Sequence, residues 1–84
     1  MKLEKSKILI TGGSLGIGKE TAKLLTDSGA KVIITGRVKE RLEEAAKYTG
    51  AEPVIFDISD YNSIESKSEE IVEKLGGIDV LINN

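Results

Sequence analysis

Three glycines near the start of the chain have the spacing of an anion-binding turn. Gly12, Gly16 and Gly18 follow the short apolar run 7–10 and precede a helical pattern. Glycine allows the backbone to turn tightly and to approach a ligand closely, and a helix that begins there directs unpaired N–H groups and its positive end toward that ligand. The segment is therefore predicted to be a strand, a turn and a helix that bind a phosphate group, with a nucleotide as the natural source.

Few other side chains could take part in proton chemistry. The 84 residues include no histidine and no cysteine, which excludes a histidine base, thiolate catalysis and metal sites built from either residue. Tyr48 and Tyr61 are each followed four residues later by a glutamate, Glu52 and Glu65, which would raise the pKa of the phenol and make it a poorer catalyst. We therefore predict no catalytic residue and no metal ligand in this chain.

The composition narrows the range of partners. The chain has a formal net charge of −2, with 39% hydrophobic and 31% charged residues, so it lacks the basic excess that attracts nucleic acid. No run approaches the roughly 20 apolar residues of a membrane span, and the amino terminus lacks the apolar stretch of a signal peptide. We expect a cytoplasmic protein with neither nucleic acid nor membrane as a partner.

Strand and helix patterns alternate along the chain, which is typical of an α/β fold with a parallel sheet. Right-handed crossovers predict a Rossmann-type sheet with strand order 3-2-1-4 and helices on both faces. The glycine turn then lies beside the end of the fourth strand, at the point where the strand order reverses. The predicted strands are Lys7–Thr11, Lys31–Thr35, Val54–Phe56 and Asp79–Asn84.

Apolar residues at helical spacing predict which helix faces are buried. In the first helix this face consists of Ile17, Thr21, Leu24 and Leu25. The third helix carries its own apolar stripe, and Ser59 or Asp60 is placed to cap its amino end.

Three motifs in order resemble the short-chain dehydrogenase/reductase family, and the resemblance covers all 84 residues. They are Thr11-Gly12-x-x-x-Gly16-Ile17-Gly18, an aspartate after the third strand, and Asn83-Asn84 after the fourth. The resemblance implies a Rossmann fold, a bound nicotinamide dinucleotide, and hydride transfer between that cofactor and an alcohol or carbonyl. It also implies that Ser14, Gly16 and Ile17 line the adenosine ribose and pyrophosphate, that Asp57 and Ile58 flank the adenine, and that Asn83 lies by the adenine ribose and braces the glycine turn.

The end of the second strand favours NADP(H) over NAD(H). An NAD-binding unit usually carries an acidic residue there to bind the ribose 2′-hydroxyl, but this chain has Gly36. Arg37, the next residue, brings a guanidinium that matches phosphate oxygens. Leu15 stands where many NADP-preferring members of the family have a second basic residue, so a single cation is expected to bind the 2′-phosphate. The alternative is that Arg37 is a solvated charge paired with Glu40 or with a neighbour of Arg41.

The family's catalytic Tyr-x-x-x-Lys pair has no counterpart in these residues. We therefore expect residues 1–84 to be one Rossmann-type unit, a fragment of a longer domain that supplies the cofactor-binding portion of an oxidoreductase. A homo-oligomer formed through the exposed edge of the fourth strand, or through the sheet face, is the alternative to a fragment. A non-catalytic dinucleotide-binding module remains open as a function. A phosphate-loop nucleotide hydrolase is disfavoured, because Gly13, Gly18 and Lys19 match its motif but Glu20 replaces the hydroxyl that binds magnesium.

Overall fold

Strands and helices alternate along the computed structural model, which describes residues 4–57 and 59–84. The order of elements is that of repeated β-α-β units, as the sequence predicts. The strands are β1 (Lys7–Thr11), β2 (Lys31–Gly36), β3 (Glu52–Ile55) and β4 (Val80–Asn83), and the helices are α1 (Gly16–Asp27), α2 (Lys39–Thr49) and α3 (Ile64–Leu75).

The four strands form one parallel sheet in the order β3-β2-β1-β4, which confirms the predicted order. In the register of the sheet, Ile10 of β1 lies between Ile34 of β2 and Ile82 of β4. All three side chains are β-branched, and such residues pack well in a parallel sheet whose two faces are both covered. The register aligns the carboxyl ends of β1 and β4, with Thr11 opposite Asn83.

The core is divided between the two faces of the sheet, because successive strand residues point to opposite sides. Helices α1 and α2 cover one face and α3 covers the other, as expected for helices on both sides. The first cluster comprises Ile8, Ile10, Ala22, Ala30, Val32, Ile34, Leu42, Ala45 and Ala51, and the second comprises Leu9, Ile33, Val54, Ile71 and Leu75. No helix in the described part of the chain is both long and apolar enough to cross a membrane.

The buried face of α1 differs from the prediction. Ile17 is 81% exposed and Leu24 is 67% exposed, whereas Gly18 and Ala22 are buried and Leu25 is only partly buried. Small residues four positions apart form a narrow stripe that lets a helix approach the sheet closely. The line of contact therefore runs through Gly18 and Ala22, Leu25 packs against its margin, and Ile17 and Leu24 are turned outward.

The start of α3 also differs from the prediction, because neither Ser59 nor Asp60 caps it. The helix begins at Ile64, and Ser63 occupies the N-cap position without a side-chain hydrogen bond. Ser59 instead donates to the carboxylate of Asp57, and the carbonyl of Asp60 accepts from the Ser63 amide. These local turns use the polar groups that would otherwise cap a helix.

The outer strands are shifted or shorter than predicted. β3 begins at Glu52 rather than Val54, because Glu52 and Pro53 pair with Ile33 and Ile34. β4 spans Val80–Asn83 rather than Asp79–Asn84. It pairs with β1 only and is therefore an edge of the described sheet, and the side chain of its Leu81 is 55% exposed.

The opposite exposures of Ile10 and Ile17 give a matched test of this packing. Ile10→Val should lower the free energy of unfolding by about 0.5–1.5 kcal/mol, because it removes a methyl group from a close-packed core. Ile17→Val removes the same group from a side chain that is 81% exposed and should change stability by less than about 0.5 kcal/mol. Urea denaturation followed by circular dichroism measures both; equal losses would contradict the described orientation of α1.

Candidate functional site

The turn between β1 and α1 requires glycine at two positions. Gly12 has a φ of +68° and Gly16 a φ of +56°, both in the left-handed region that other residues avoid. Leu15, the N-cap residue of α1, makes no side-chain hydrogen bond to the helix start. The first amides of α1 are therefore not capped by that side chain, and an anion could use them.

The side chain that braces this turn belongs to Asn84, not to Asn83 as expected. The Asn84 side-chain amide donates to the carbonyl oxygen of Gly12 at 3.0 Å and lies 3.5 Å from that of Leu15. The Asn83 side-chain oxygen instead accepts from the hydroxyl of Thr11 at 3.0 Å. Side chains alternate along a strand. Because Asn83 lies opposite Thr11 in the register, Asn84 is the residue that reaches beneath the turn.

Gly18 makes room for that brace. It is buried, and a β-carbon built on it would lie 2.5 Å from the side-chain nitrogen of Asn84. No side chain fits in that space while Asn84 holds the turn. The third glycine of the motif therefore has a packing reason of its own, independent of any ligand.

A cleft of about 390 Å³ opens at the carboxyl edge of the sheet, beside the glycine turn. Its size is that of a small-molecule site, and in open parallel sheets ligands bind at this edge. Its walls come from the glycine turn, from the segments that follow β2 and β3, from the start of α2 and from the end of β4. It is lined by Thr11, Gly12, Ser14, Leu15, Thr35, Gly36, Arg37, Val38, Arg41, Phe56, Asn83 and Asn84.

The cleft brings together four of the nine predicted cofactor residues, namely Gly12, Ser14, Arg37 and Asn83. Four others lie nearby but outside its lining. Gly16 and Ile17 line a separate open depression along α1, Gly18 lies beneath the turn, and Asp57 follows the lining residue Phe56. The ninth, Ile58, falls outside the described residues.

Two arginines give the cleft a positive charge. Arg37 and Arg41 both line it, and no carboxylate does among its described lining residues. Neither arginine forms an ion pair in the described ranges, so the alternative pairing of Arg37 with Glu40 is not present. Arg41 was not predicted from the sequence, which favoured a single cation. Arg37 lies just before α2 and Arg41 in its first turn, so only the angle at which the helix starts brings both side chains to the cleft.

Asp57 is a carboxylate held in its charged form. One of its oxygens accepts from the backbone amide of Ser59 at 2.9 Å and from the Ser59 hydroxyl at 2.7 Å. These hydrogen bonds, with a smaller contribution from the charge of Arg37, lower the pKa of Asp57 below its ordinary value. The group is therefore ionised at neutral pH and can accept a hydrogen bond from a ligand.

The residues that would have to serve a phosphate loop are engaged elsewhere. Both carboxylate oxygens of Glu20 lie 3.1 Å from the hydroxyl of Tyr48, which donates to them. The side-chain nitrogen of Lys19 lies 5.2 Å from the centre of the Tyr48 ring. These contacts tie both residues to α2, which argues against magnesium-dependent phosphate-loop chemistry.

Comparisons with known proteins give a consistent result. Residues 6–84 match the sequence model of the short chain dehydrogenase family. A 3-oxoacyl-(acyl-carrier-protein) reductase of Thermotoga maritima is 38% identical over 89 residues, covering 100% of this chain and 36% of that protein. An uncharacterized oxidoreductase of Bacillus subtilis is 39% identical over 88 residues, covering 99% of this chain and 32% of the relative.

Solved structures agree with the sequence matches. A short chain dehydrogenase from Bacillus anthracis superposes with a TM-score of 0.89 at 40% identity, covering 100% of this chain and 36% of the other. A 3-ketoacyl-(acyl-carrier-protein) reductase from Brucella melitensis, solved in complex with NADH, gives a TM-score of 0.85 at 36% identity. The match covers 94% of this chain and 33% of the reductase. The chain thus spans about a third of the length of these relatives.

Because Gly18 packs against Asn84, we predict that the effect of Gly18→Ala on stability changes sign when the Asn84 side chain is removed. In the parent chain, Gly18→Ala should destabilise the fold by about 1–3 kcal/mol, because the new methyl group displaces the Asn84 amide from the turn. In an Asn84→Gly background the amide and the β-carbon of Asn84, which lies 3.2 Å from the new methyl group, are both gone, and the same change should stabilise α1 by up to about 1 kcal/mol through helix propensity. Urea unfolding of the four proteins measures the coupling; additive effects would show that Gly18 and Asn84 do not compete for this space.

The hydrogen bonds to Asp57 predict the effect of removing one of them. Ser59→Ala should raise the pKa of Asp57 toward its ordinary value of 3.8, since the hydroxyl donor is lost while the backbone donor remains. A carboxyl group whose pKa is lowered by folding stabilises the fold at any pH above its pKa in the unfolded chain. This contribution is lost as the pH falls through its pKa in the folded chain. The variant should therefore lose less stability between neutral and acidic pH. Carboxyl-carbon NMR reads the pKa directly.

Ser66→Ala is the control for that measurement, because the Ser66 hydroxyl donates to the Ser63 carbonyl and not to Asp57. A change in the pKa of Asp57 in the control variant, or no change in Ser59→Ala, would contradict the assigned hydrogen bonds.

Proposed function

The chain belongs to the short-chain dehydrogenase family, and from that premise we propose that it forms the nicotinamide-dinucleotide-binding unit of an NADP(H)-dependent oxidoreductase. One observation carries the proposal. Among the residues that the structure describes, the cleft at the carboxyl edge combines a glycine turn at a helix start with two arginines outside any ion pair and no lining carboxylate. The whole protein would transfer a hydride between the cofactor and an alcohol or carbonyl.

The residues present fit an adenosine phosphate. A β-carbon on Gly16 would meet nothing within 4 Å, so the space beside the start of α1 is open to an anion. We assign Ser14, Gly16 and Ile17 to the ribose and pyrophosphate, and Asn83 to the adenine ribose. When bound, the nicotinamide would supply the carbon that accepts or donates the hydride; the residues of this chain bind and orient the adenosine end.

Asp57 and Thr35 support binding in different ways. The ionised Asp57 carboxylate can accept a hydrogen bond from the exocyclic amine of adenine, with Ile58 beside it in the proposed site. Thr35 is buried, and its side-chain oxygen lies 3.4 Å from the amide nitrogen of Gly12, which donates to it. The glycine turn is therefore held from β2 as well as from β4, and such preorganisation lowers the cost of binding.

The preference for NADP(H) rests on charge and space at the end of β2. The Brucella melitensis relative was solved with NADH, so similarity alone does not select the phosphorylated cofactor. At Gly36 a β-carbon would lie 3.3 Å from Leu42 and 3.4 Å from the hydroxyl oxygen of Ser14, which leaves little room for an acidic side chain. Arg37 and Arg41 supply two cations where a 2′-phosphate would sit, and charge-assisted hydrogen bonds to phosphate are among the strong ones.

Removing either arginine should weaken NADP(H) binding selectively. We expect Arg37→Gln and Arg41→Gln each to raise the Kd for NADP+ about tenfold or more, since a hydrogen bond to a charged group contributes about 1.5–3 kcal/mol. The Kd for NAD+ should change by less than about threefold, because NAD+ has no 2′-phosphate. Isothermal titration calorimetry of both dinucleotides with each variant measures this.

Lys39→Gln is the matched control, because it removes one positive charge from the same turn of α2 without touching the cleft lining. It should leave both dissociation constants nearly unchanged. Equal affinity of the parent chain for NADP+ and NAD+ would reject the preference. Failure of the folded chain to bind either dinucleotide at millimolar concentration would reject the function.

A further inference from the structure

A second concave surface lies beside the cofactor cleft, between α1 and α2. This α1–α2 groove has a volume of about 800 Å³ and is lined by Lys19 from α1 and by Arg41, Glu44 and Lys47 from α2. Three cations and one carboxylate leave these lining residues with a net charge of +2, whereas the whole chain has a formal net charge of −2. The groove is therefore a positive surface on an acidic protein.

None of the three groove cations forms an ion pair with a carboxylate in the described ranges. The ion pairs in the described ranges join Lys23 to Asp27, Lys67 to Glu70 and Lys74 to Glu52, so none of them involves a groove cation. Like charges gathered on one surface repel each other. A multivalent anion would relieve that repulsion and would be attracted by all three groups at once.

Tyr48 holds one wall of the groove in place. Its hydroxyl donates to both carboxylate oxygens of Glu20, which raises the pKa of Tyr48 and keeps the ring neutral. The side-chain nitrogens of Lys19 and Lys23 lie 5.2 and 5.3 Å from the centre of the ring. Cation–π contacts at such distances restrain a lysine. Lys19 of α1 is thereby held close to α2, the helix that supplies the other two groove cations.

The groove and the cofactor cleft share a wall, formed by Ser14, Leu15 and Arg41. Lys19 and Lys47 line the groove but not the cleft, and Arg37 lines the cleft but not the groove. An anion in the groove and a phosphate at the edge of the cleft would therefore both use the guanidinium of Arg41. Two anions sharing one cation also repel each other, so their binding is opposed.

We propose that the α1–α2 groove is a second anion site, which takes a compact phosphate-based polyanion and competes with the 2′-phosphate of NADP(H) for Arg41. The site recognises charge density, since three cations line it. NAD(H), which has no 2′-phosphate, does not compete. The competition rests on the cofactor function proposed above, whereas the anion site does not.

Inorganic tripolyphosphate is the probe for the site, added to the 84-residue chain at constant ionic strength. Calorimetry should show saturable binding that Lys47→Gln weakens about threefold to tenfold, because one of three attracting charges is lost. Lys39→Gln, the same charge change elsewhere on α2, and Arg37→Gln, in the cleft alone, should each leave the affinity within about twofold.

Three results would overturn the anion site. One is the absence of saturable binding by the folded chain. The second is an equal loss of tripolyphosphate affinity in Lys39→Gln and Lys47→Gln, which would show only a general attraction of the anion to positive charge. The third is loss of binding in Arg37→Gln, which would place the tripolyphosphate in the cofactor cleft.

The competition is tested separately with the two dinucleotides. Tripolyphosphate at ten times its own Kd should raise the apparent Kd for NADP+ about tenfold and leave that for NAD+ within about twofold, as expected for exclusive binding at one shared group. Equal effects on both dinucleotides, or none, would overturn the competition. If NADP+ does not bind at all, the proposed function and the competition both fail, while the tripolyphosphate titration still decides the anion site.

Discussion

The contact on which this site depends is the side-chain amide of Asn84 beneath the glycine turn. It donates to the carbonyl oxygen of Gly12 at 3.0 Å, and the absence of a β-carbon at Gly18 makes room for it. Through this contact the end of β4, about 70 residues along the chain from the turn, sets the position of the backbone that faces the cleft. Local sequence makes the turn flexible enough to bend, and the tertiary contact holds it in one shape, which is what a preorganised anion site needs.

The electrostatics of the site follow from the topology. Parallel strands place their carboxyl ends at one edge, and helices that follow them begin near that edge, so amide dipoles and helix-start side chains converge there. Arg37, just after β2, and Arg41, in the first turn of α2, enter the cleft in this way. Because Arg41 also lines the α1–α2 groove, the same geometry links the cofactor cleft to a second positive surface.

Several features were predictable because they depend on residues close in sequence. Alternation of apolar runs and helical patterns indicated a parallel sheet, right-handed crossovers then predicted the order β3-β2-β1-β4, and the glycine spacing located the turn. The face of α1 was predicted wrongly, because hydrophobicity gives Gly18 and Ala22 little weight, whereas close packing against the sheet selects them. The start of α3 was misplaced because the hydroxyl of Ser59 donates to the carboxylate of Asp57, a local contact that the capping pattern does not take into account.

The sequence by itself determined the fold class, the strand order, the glycine turn and the presence of Arg37 in place of an acid at the end of β2. These depend on periodicity, glycine positions and residue type, which are local properties, and, for the strand order, on the handedness of the crossovers. Only the tertiary structure decided that Asn84 rather than Asn83 braces the turn, that Arg41 joins Arg37 in the cleft, and that Ile17 is exposed. Each of these depends on strand register or helix rotation, and a change of one residue in register, or of a quarter turn in rotation, reverses which side chain meets the site.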